Sequence, residues 1–293
     1  GDVYRQILRE NRASYQALFD LMPSVTWDEP ATPLPNKPIS PWNPADYSKD
    51  RMSTWATYAC GHMGIPCRVA RGDDADVVML TGAEVSFFSD DELRGFLSKG
   101  VLLDGVAAEQ LTRRGFAELL GVDVTAFDGP TPDIERLTDH PINGVTAGRQ
   151  ITQTTFYGGA NRQIRICAEG VETLSTLFHV AWYLQPDPTA AGPGVTVFEN
   201  KLGGRVAVYA AILDGGTSFL SRHVTFLNES RRLQLIAVLD WLHRTPLPVV
   251  VVTDVDCYVR HGAIDPAAGG GELLAVFNLN MDSLPELRLR VSG

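Results

Sequence analysis

The chain has 293 residues, of which 44% are hydrophobic and 20% charged, enough to bury a sizeable core and to exclude disorder as the default. With 35 acidic against 25 basic residues its formal charge is −10, which excludes broad attraction to nucleic-acid phosphates or anionic membrane surfaces. Four cysteines, Cys60, Cys67, Cys167 and Cys257, are too few for a disulfide framework in a chain this long.

Residues 2–22 carry Val3, Ile7, Leu8, Tyr15, Leu18, Phe19 and Met22 at helical spacing, which predicts an amphipathic helix. No signal-peptide pattern opens the chain and no apolar run approaches ~18 residues, so no membrane partner is expected and the expected location is the bacterial cytoplasm. Residues 28–48 contain Pro30, Pro33, Pro35, Pro38, Pro41 and Pro44. Proline lacks the amide that helices and central strands need, so an extended linker is expected here, with Trp42 as an anchor. Asp50 to Met63 follows as a helix stopped by Gly64 and Pro66. Ile65 to Val69 is a short strand. Asp76-Val77-Val78-Met79-Leu80-Thr81-Gly82 is a continuous apolar strand of the kind covered on both faces. Ser89 with Glu92 forms a capping-box pattern for a helix running to about Lys99. Val101 to Gly105 is a second buried strand, and Ala107 to Leu120 a further helix.

This alternation predicts an α/β fold with an open, mostly parallel sheet flanked by helices. Residues 161–167 and 171–183 have strand-like spacing. Val195 to Glu199 and Arg205 to Leu213 form a hairpin turned at Leu202-Gly203-Gly204, and Glu229 to His243 is a helix. The tail has four short strands, at 249–252, 256–260, 272–279 and 286–291, with no helix between them, and is expected to form a small all-β sheet. The expected division is 1–49 as helix and linker, 50–245 as the α/β domain and 246–293 as the small β domain.

Few residues carry chemistry. Asp104 ends a buried strand before a helix, where open α/β sheets place functional groups, and Gly82 and Glu84 follow the neighbouring strand. These three are the pocket candidates. A nucleophile elbow would need Gly-x-Ser-x-Gly or its cysteine equivalent there; the sequence offers Leu103-Asp104-Gly105-Val106-Ala107, and an aspartate in that place also suits an N-cap. Cys60, His62 and Cys67 lack the closed ligand set of a zinc site, so no metal and no cofactor is expected. Asp73-Asp74-Ala75-Asp76 lacks the alternating ligands of a calcium loop. Glu84, Glu169, Glu172 and Glu199 show no spacing that pairs two carboxyl groups across a sugar. His140 and His179 have no exposed-serine motif beside them. Arg113-Arg114 and Arg231-Arg232 are isolated pairs, so no nucleic-acid partner is expected.

The stretch from Asp76 to Gly82, then Leu93 to Lys99, then Gly100-Val101-Leu102-Leu103-Asp104-Gly105 resembles the trimerisation domain of bacterial TIM-barrel-type β-galactosidases. Gly203-Gly204-Arg205-Val206-Ala207-Val208-Tyr209 resembles its late hairpin, and Leu273 to Leu279 looks like a strand of the small β domain that closes such enzymes. The resemblance covers roughly residues 50–290, and residues 122–190 depart from it. It implies an amidotransferase-like or flavodoxin-like fold without the nucleophile, and a catalytic barrel outside this sequence. It also implies self-association as a homo-oligomer, possibly a trimer, and only an indirect relation to a carbohydrate substrate. On that reading no residue of this chain is catalytic. A stand-alone hydrolase using Asp104 or a nearby histidine, and a carbohydrate-binding module, are the alternatives.

Overall fold

The computed structural model describes residues 5–6, 9–34, 55–71, 74–153, 161–180, 188–213, 225–280 and 282–292. In chain order the strands are β1 (Val25–Thr26), β2 (Ala31–Leu34), β3 (Arg68–Arg71), β4 (Val77–Leu80), β5 (Gly100–Leu103), β6 (Val122–Ala126), β7 (Ile134–Leu137) and β8 (Gln150–Thr152). They continue with β9 (Arg162–Ile166), β10 (Glu172–His179), β11 (Thr189–Glu199), β12 (Arg205–Tyr209), β13 (Val249–Val251), β14 (Cys257–Ile264), β15 (Glu272–Asn278) and β16 (Leu289–Val291).

Nine strands form the main sheet, in the order β3-β2-β4-β5-β12-β11-β10-β7-β8. The pairings from β3 to β12 are parallel and those from β12 to β8 antiparallel. This corrects the expected open, mostly parallel, flavodoxin-like α/β sheet. The sheet is mixed and strands outweigh helices: β10, β11 and β12 lie where strands are expected, but β10 and β11 join β7 and β8 in an antiparallel half of the same sheet. The change of direction is made at the β11–β12 turn. There Asn200 accepts from the Leu202 and Gly204 amides and donates to the Leu97 and Leu119 carbonyls. A Cβ at Gly204 would collide with the Leu97 carbonyl, so only glycine lets the turn lie against the preceding helix end.

Hydrophobic pattern decides which strands sit centrally. Every residue of β4 and β5 is buried, as expected of runs covered on both faces. One face packs Trp55, Leu235, Val238, Leu239 and Leu242 against Met79, Leu102, Ala207 and Tyr209. The other packs Leu93, Phe96, Leu111 and Leu119 against Leu80, Leu103 and Val208. Each such side chain contributes about 1.5–3 kcal/mol of burial. The helix Asp90–Phe96 starts at Ser89, whose hydroxyl accepts from the Glu92 amide while Glu92 reaches back to the Ser89 amide. The single helix expected to end at Leu120 is two, Gly105–Arg113 and Ala117–Leu120, broken where Gly115 takes φ 84°.

Three other expectations are corrected. Pro33 lies within a strand: β2 runs between β3 and β4, but it pairs with β4 only at Ala31↔Val78. Its missing amide therefore falls where the ladder has already opened. The helix expected from Asp50 is a short one, Trp55–Tyr58, followed by a 3-10 turn, Cys60–His62. The rest of that stretch, with Pro35 to Pro44 and Trp42, lies outside the described residues. The four tail strands do not form one sheet. β14 pairs with β15 and with β1, and β13 pairs with β16, because β1 supplies a partner from far upstream.

Candidate functional site

β4, β5 and β12 lie in parallel register, with Leu80 and Val208 both paired to Leu103. Their C-terminal ends therefore bring Thr81-Gly82, Asp104-Gly105 and Ala210 to one edge of the sheet, where open α/β sheets carry ligands. Asp104 is wholly buried. Its Oδ1 accepts from the Ala107 amide at 2.8 Å, capping the helix Gly105–Arg113, and its Oδ2 accepts from the Leu213 amide at 3.1 Å. A Cβ at Gly105 would strike the Ala210 carbonyl, and one at Gly82 the Val106 side chain. Both glycines thus serve close approach between the protein's own elements. Glu84 accepts from the Thr81 amide at 2.7 Å and from its hydroxyl at 3.1 Å. Burial pushes the Glu84 carboxyl up to about 8, against those hydrogen bonds and with help from nearby Asp104.

Around this edge Glu109, itself buried, accepts from Arg162 and Arg113, both at 2.5 Å. Asn161, bridged to Ala211, is buried with neither polar atom of its carboxamide hydrogen-bonded. Sequence reasoning missed it, because nothing in its neighbourhood marks an asparagine for burial.

The other candidates are dispersed. Cys60 and Cys67 are buried, with Cys67 donating weakly to the Ala56 carbonyl at 3.6 Å. His62 turns away to Asp256, its Nδ1 2.8 Å from Oδ1. His140 pairs with Glu172 at 2.7 Å and His179 meets the Phe127 ring edge-on. Asp74 is paired with Arg68. Arg231 and Arg232 are buried: the first is paired with Glu135, the second with Glu229 and the Val251 and Val252 carbonyls. Trp55 is buried, and Trp241 lies under Arg205; Tyr157, Gly158, Gly159 and Trp182 lie outside the described residues. Asp28, Asp76 and His243 bring ligand atoms within 4.8 Å of one another at the surface, and exposed acidic groups of this kind occur without a metal.

A cavity of about 240 Å³ opens elsewhere, between the N-terminal end of the Glu229–His243 helix, the Cys60–His62 turn and the loop joining β13 to β14. His62, Asp254, Asp256, Asn228 and Asn280 are among its lining groups. The residues of the His62–Asp256 pair are 194 positions apart, so no local spacing announces it.

No protein-family model matches the chain and no curated protein matches it in sequence. Its fold is similar to part of alpha-L-fucosidase isoenzyme 2 from Paenibacillus thiaminolyticus, with TM-score 0.50 and 14% identity over 82% of this chain. The match spans 38% of that chain's length. Two cytoplasmic proteins of Salmonella typhimurium also align, each with TM-score 0.37, at 14% and 12% identity, over 57% of this chain and 72% and 71% of theirs. The glycoside-hydrolase likeness is one of fold. Among the described residues no helix is long and apolar enough to cross a membrane.

Proposed function

We propose that this chain is a non-catalytic accessory region of a glycoside hydrolase, acting in carbohydrate metabolism and self-associating. The observation that carries this reading is the state of Asp104. Both of its oxygens are held by backbone amides of its own fold, and the flanking glycines are closed onto protein atoms. A catalytic carboxylate needs a free face toward substrate; this one has none. The likeness in fold to a part of a fucosidase supports the same enzyme class, and the sequence resemblance narrows the reading to the β-galactosidase type.

Two measurements test it together. The purified chain is expected to give no turnover of aryl galactosides, aryl fucosides or glutamine, and light scattering is expected to return a multiple of the monomer mass. A monomer that hydrolyses any of these substrates overturns the proposal.

A further inference from the structure

The helix Arg12–Leu21 and the 3-10 turn after it carry Tyr15, Leu18, Phe19 and Met22 at spacings of three and four, which puts them in one apolar stripe. The stripe faces the outer side of the β14–β15 ladder, where Tyr258 is paired with Phe277 and Arg260 with Ala275. Opposed residues of a ladder project to the same face, so these four make one floor. Trp27 closes an end, with the Arg260 guanidinium 4.0 Å from its ring centroid. A Cβ at Gly262 would come within 3.1 Å of that ring, so the glycine leaves Trp27 its place.

Stripe and floor do not close on each other. No residue of the helix is buried, Phe19 is 64% exposed, and a cavity of about 250 Å³ lies between the two layers. Apolar layers pack to the density of organic crystals when nothing intervenes, and an apolar cavity of ~150 Å³ already admits benzene. Among the described residues Arg260 is the one charged group of the lining. Its Nε donates to Glu29, at 3.2 and 2.8 Å from the two oxygens. Its other polar neighbour is the Tyr258 hydroxyl, which donates to the Cys67 carbonyl at 3.2 Å. That hydroxyl can take one N–H, so most of the terminal N–H groups of the guanidinium stay unspent. Glu29 is wholly buried and also faces Arg68, and burial pushes its carboxyl up to about 7, so it balances Arg260 only in part.

We propose that this cavity binds a small aryl carboxylate, its ring held between the helical stripe and the strand floor and its carboxylate on the terminal nitrogens of Arg260. An enclosed apolar space with one converging polar group is the usual form of a small-molecule site. The rings of Tyr15, Phe19, Trp27, Tyr258 and Phe277 offer an aromatic ligand edge-to-face and offset contacts. The guanidinium fork matches a carboxylate in geometry and in charge, and no acidic residue lines the cavity to repel it. Arg260 disfavours an organic cation in the same space. A sugar is disfavoured because its ring of hydroxyls would be buried against walls that supply few partners.

The test is calorimetric titration of the full chain with phenylacetate at neutral pH, with 2-phenylethanol, acetate and glucose as controls. Phenylacetate is expected to saturate, with 2-phenylethanol weaker by about fivefold or more and no binding of acetate or glucose. Ala275→Phe fills the floor of the cavity and should weaken phenylacetate by about tenfold or more, with circular dichroism unchanged. Arg260→Lys keeps a cation for Glu29 but loses the fork, so it should weaken phenylacetate and leave 2-phenylethanol as it was. Three results each overturn the proposal: no saturable binding at millimolar phenylacetate, equal binding of 2-phenylethanol or glucose, or an affinity that Ala275→Phe leaves unaltered.

Discussion

Asp104 and Glu84 stand a few residues apart in space and behave in opposite ways. Asp104 is engaged through both oxygens, so Asp104→Ala removes a helix cap and strands the buried Leu213 amide. The expected loss is about 2–4 kcal/mol; Asp104→Asn keeps the cap and should lose roughly half of that. Urea melts of the two variants check the order. Glu84 is pushed up to about 8 chiefly by burial. Its folded form therefore holds a proton that the unfolded chain, near the ordinary 4.5, releases. The stabilisation it contributes is complete below the unfolded value and is lost as pH rises through the folded one. Glu84→Gln keeps an acceptor for Thr81 and stays neutral, so the stability fall between pH 5 and 8 should shrink by on the order of 2 kcal/mol; an unchanged pH profile would refute this. At this scale the sequence was informative about Asp104, because a carboxylate before a helix has a cap to make. It placed Glu84 near Asp104 at the strand ends but gave no sign of its burial, and it was silent on the His62–Asp256 pair, since burial and long-range partners leave no local pattern.

Among elements, the Glu229–His243 helix is fastened to the antiparallel half of the sheet by a buried ion pair. Arg231 on the helix meets Glu135 on β7, with Gln153 donating to Glu135 at 2.9 Å and Gln234 accepting from Arg231 at 2.5 Å. Both side chains are essentially inaccessible. Removing one partner leaves an uncompensated buried charge, so Arg231→Met should cost about 3–5 kcal/mol. Replacing both by Arg231→Met and Glu135→Met should recover much of the loss, and chemical denaturation of the three variants gives the coupling. If the double variant is no more stable than Arg231→Met, the pair is not the source of the cost. The helix and β4 and β5 were legible from apolar periodicity, as was the β11–β12 hairpin from its glycines. β7 and β8 were not, because they are short and polar in part, and their place depends on partners such as Arg231 that are remote in sequence. Pro33 misled for a physical reason: the rule against proline in central strands assumes a full ladder, and β2 makes only one pairing with β4.

Across the molecule, the upstream and downstream segments are stitched together. β1 pairs with β14, Glu29 is buried against Arg260 at 2.8 Å and accepts from the His261 amide at 2.6 Å, and Arg290 grips Asp240 through two bonds of 2.9 Å. Tryptophan fluorescence and far-ultraviolet circular dichroism should therefore report one coincident urea transition; two separated transitions would mean that the tail folds by itself. The fold of this chain is similar to a part of a larger fucosidase, and the proposed accessory reading turns on Asp104 holding structure rather than substrate. The direct measurement is turnover of aryl glycosides and glutamine by the unaltered chain and by Asp104→Asn, side by side. The account predicts the same absence of turnover in both. Turnover in the unaltered chain that disappears in Asp104→Asn, with the fold intact, would contradict it.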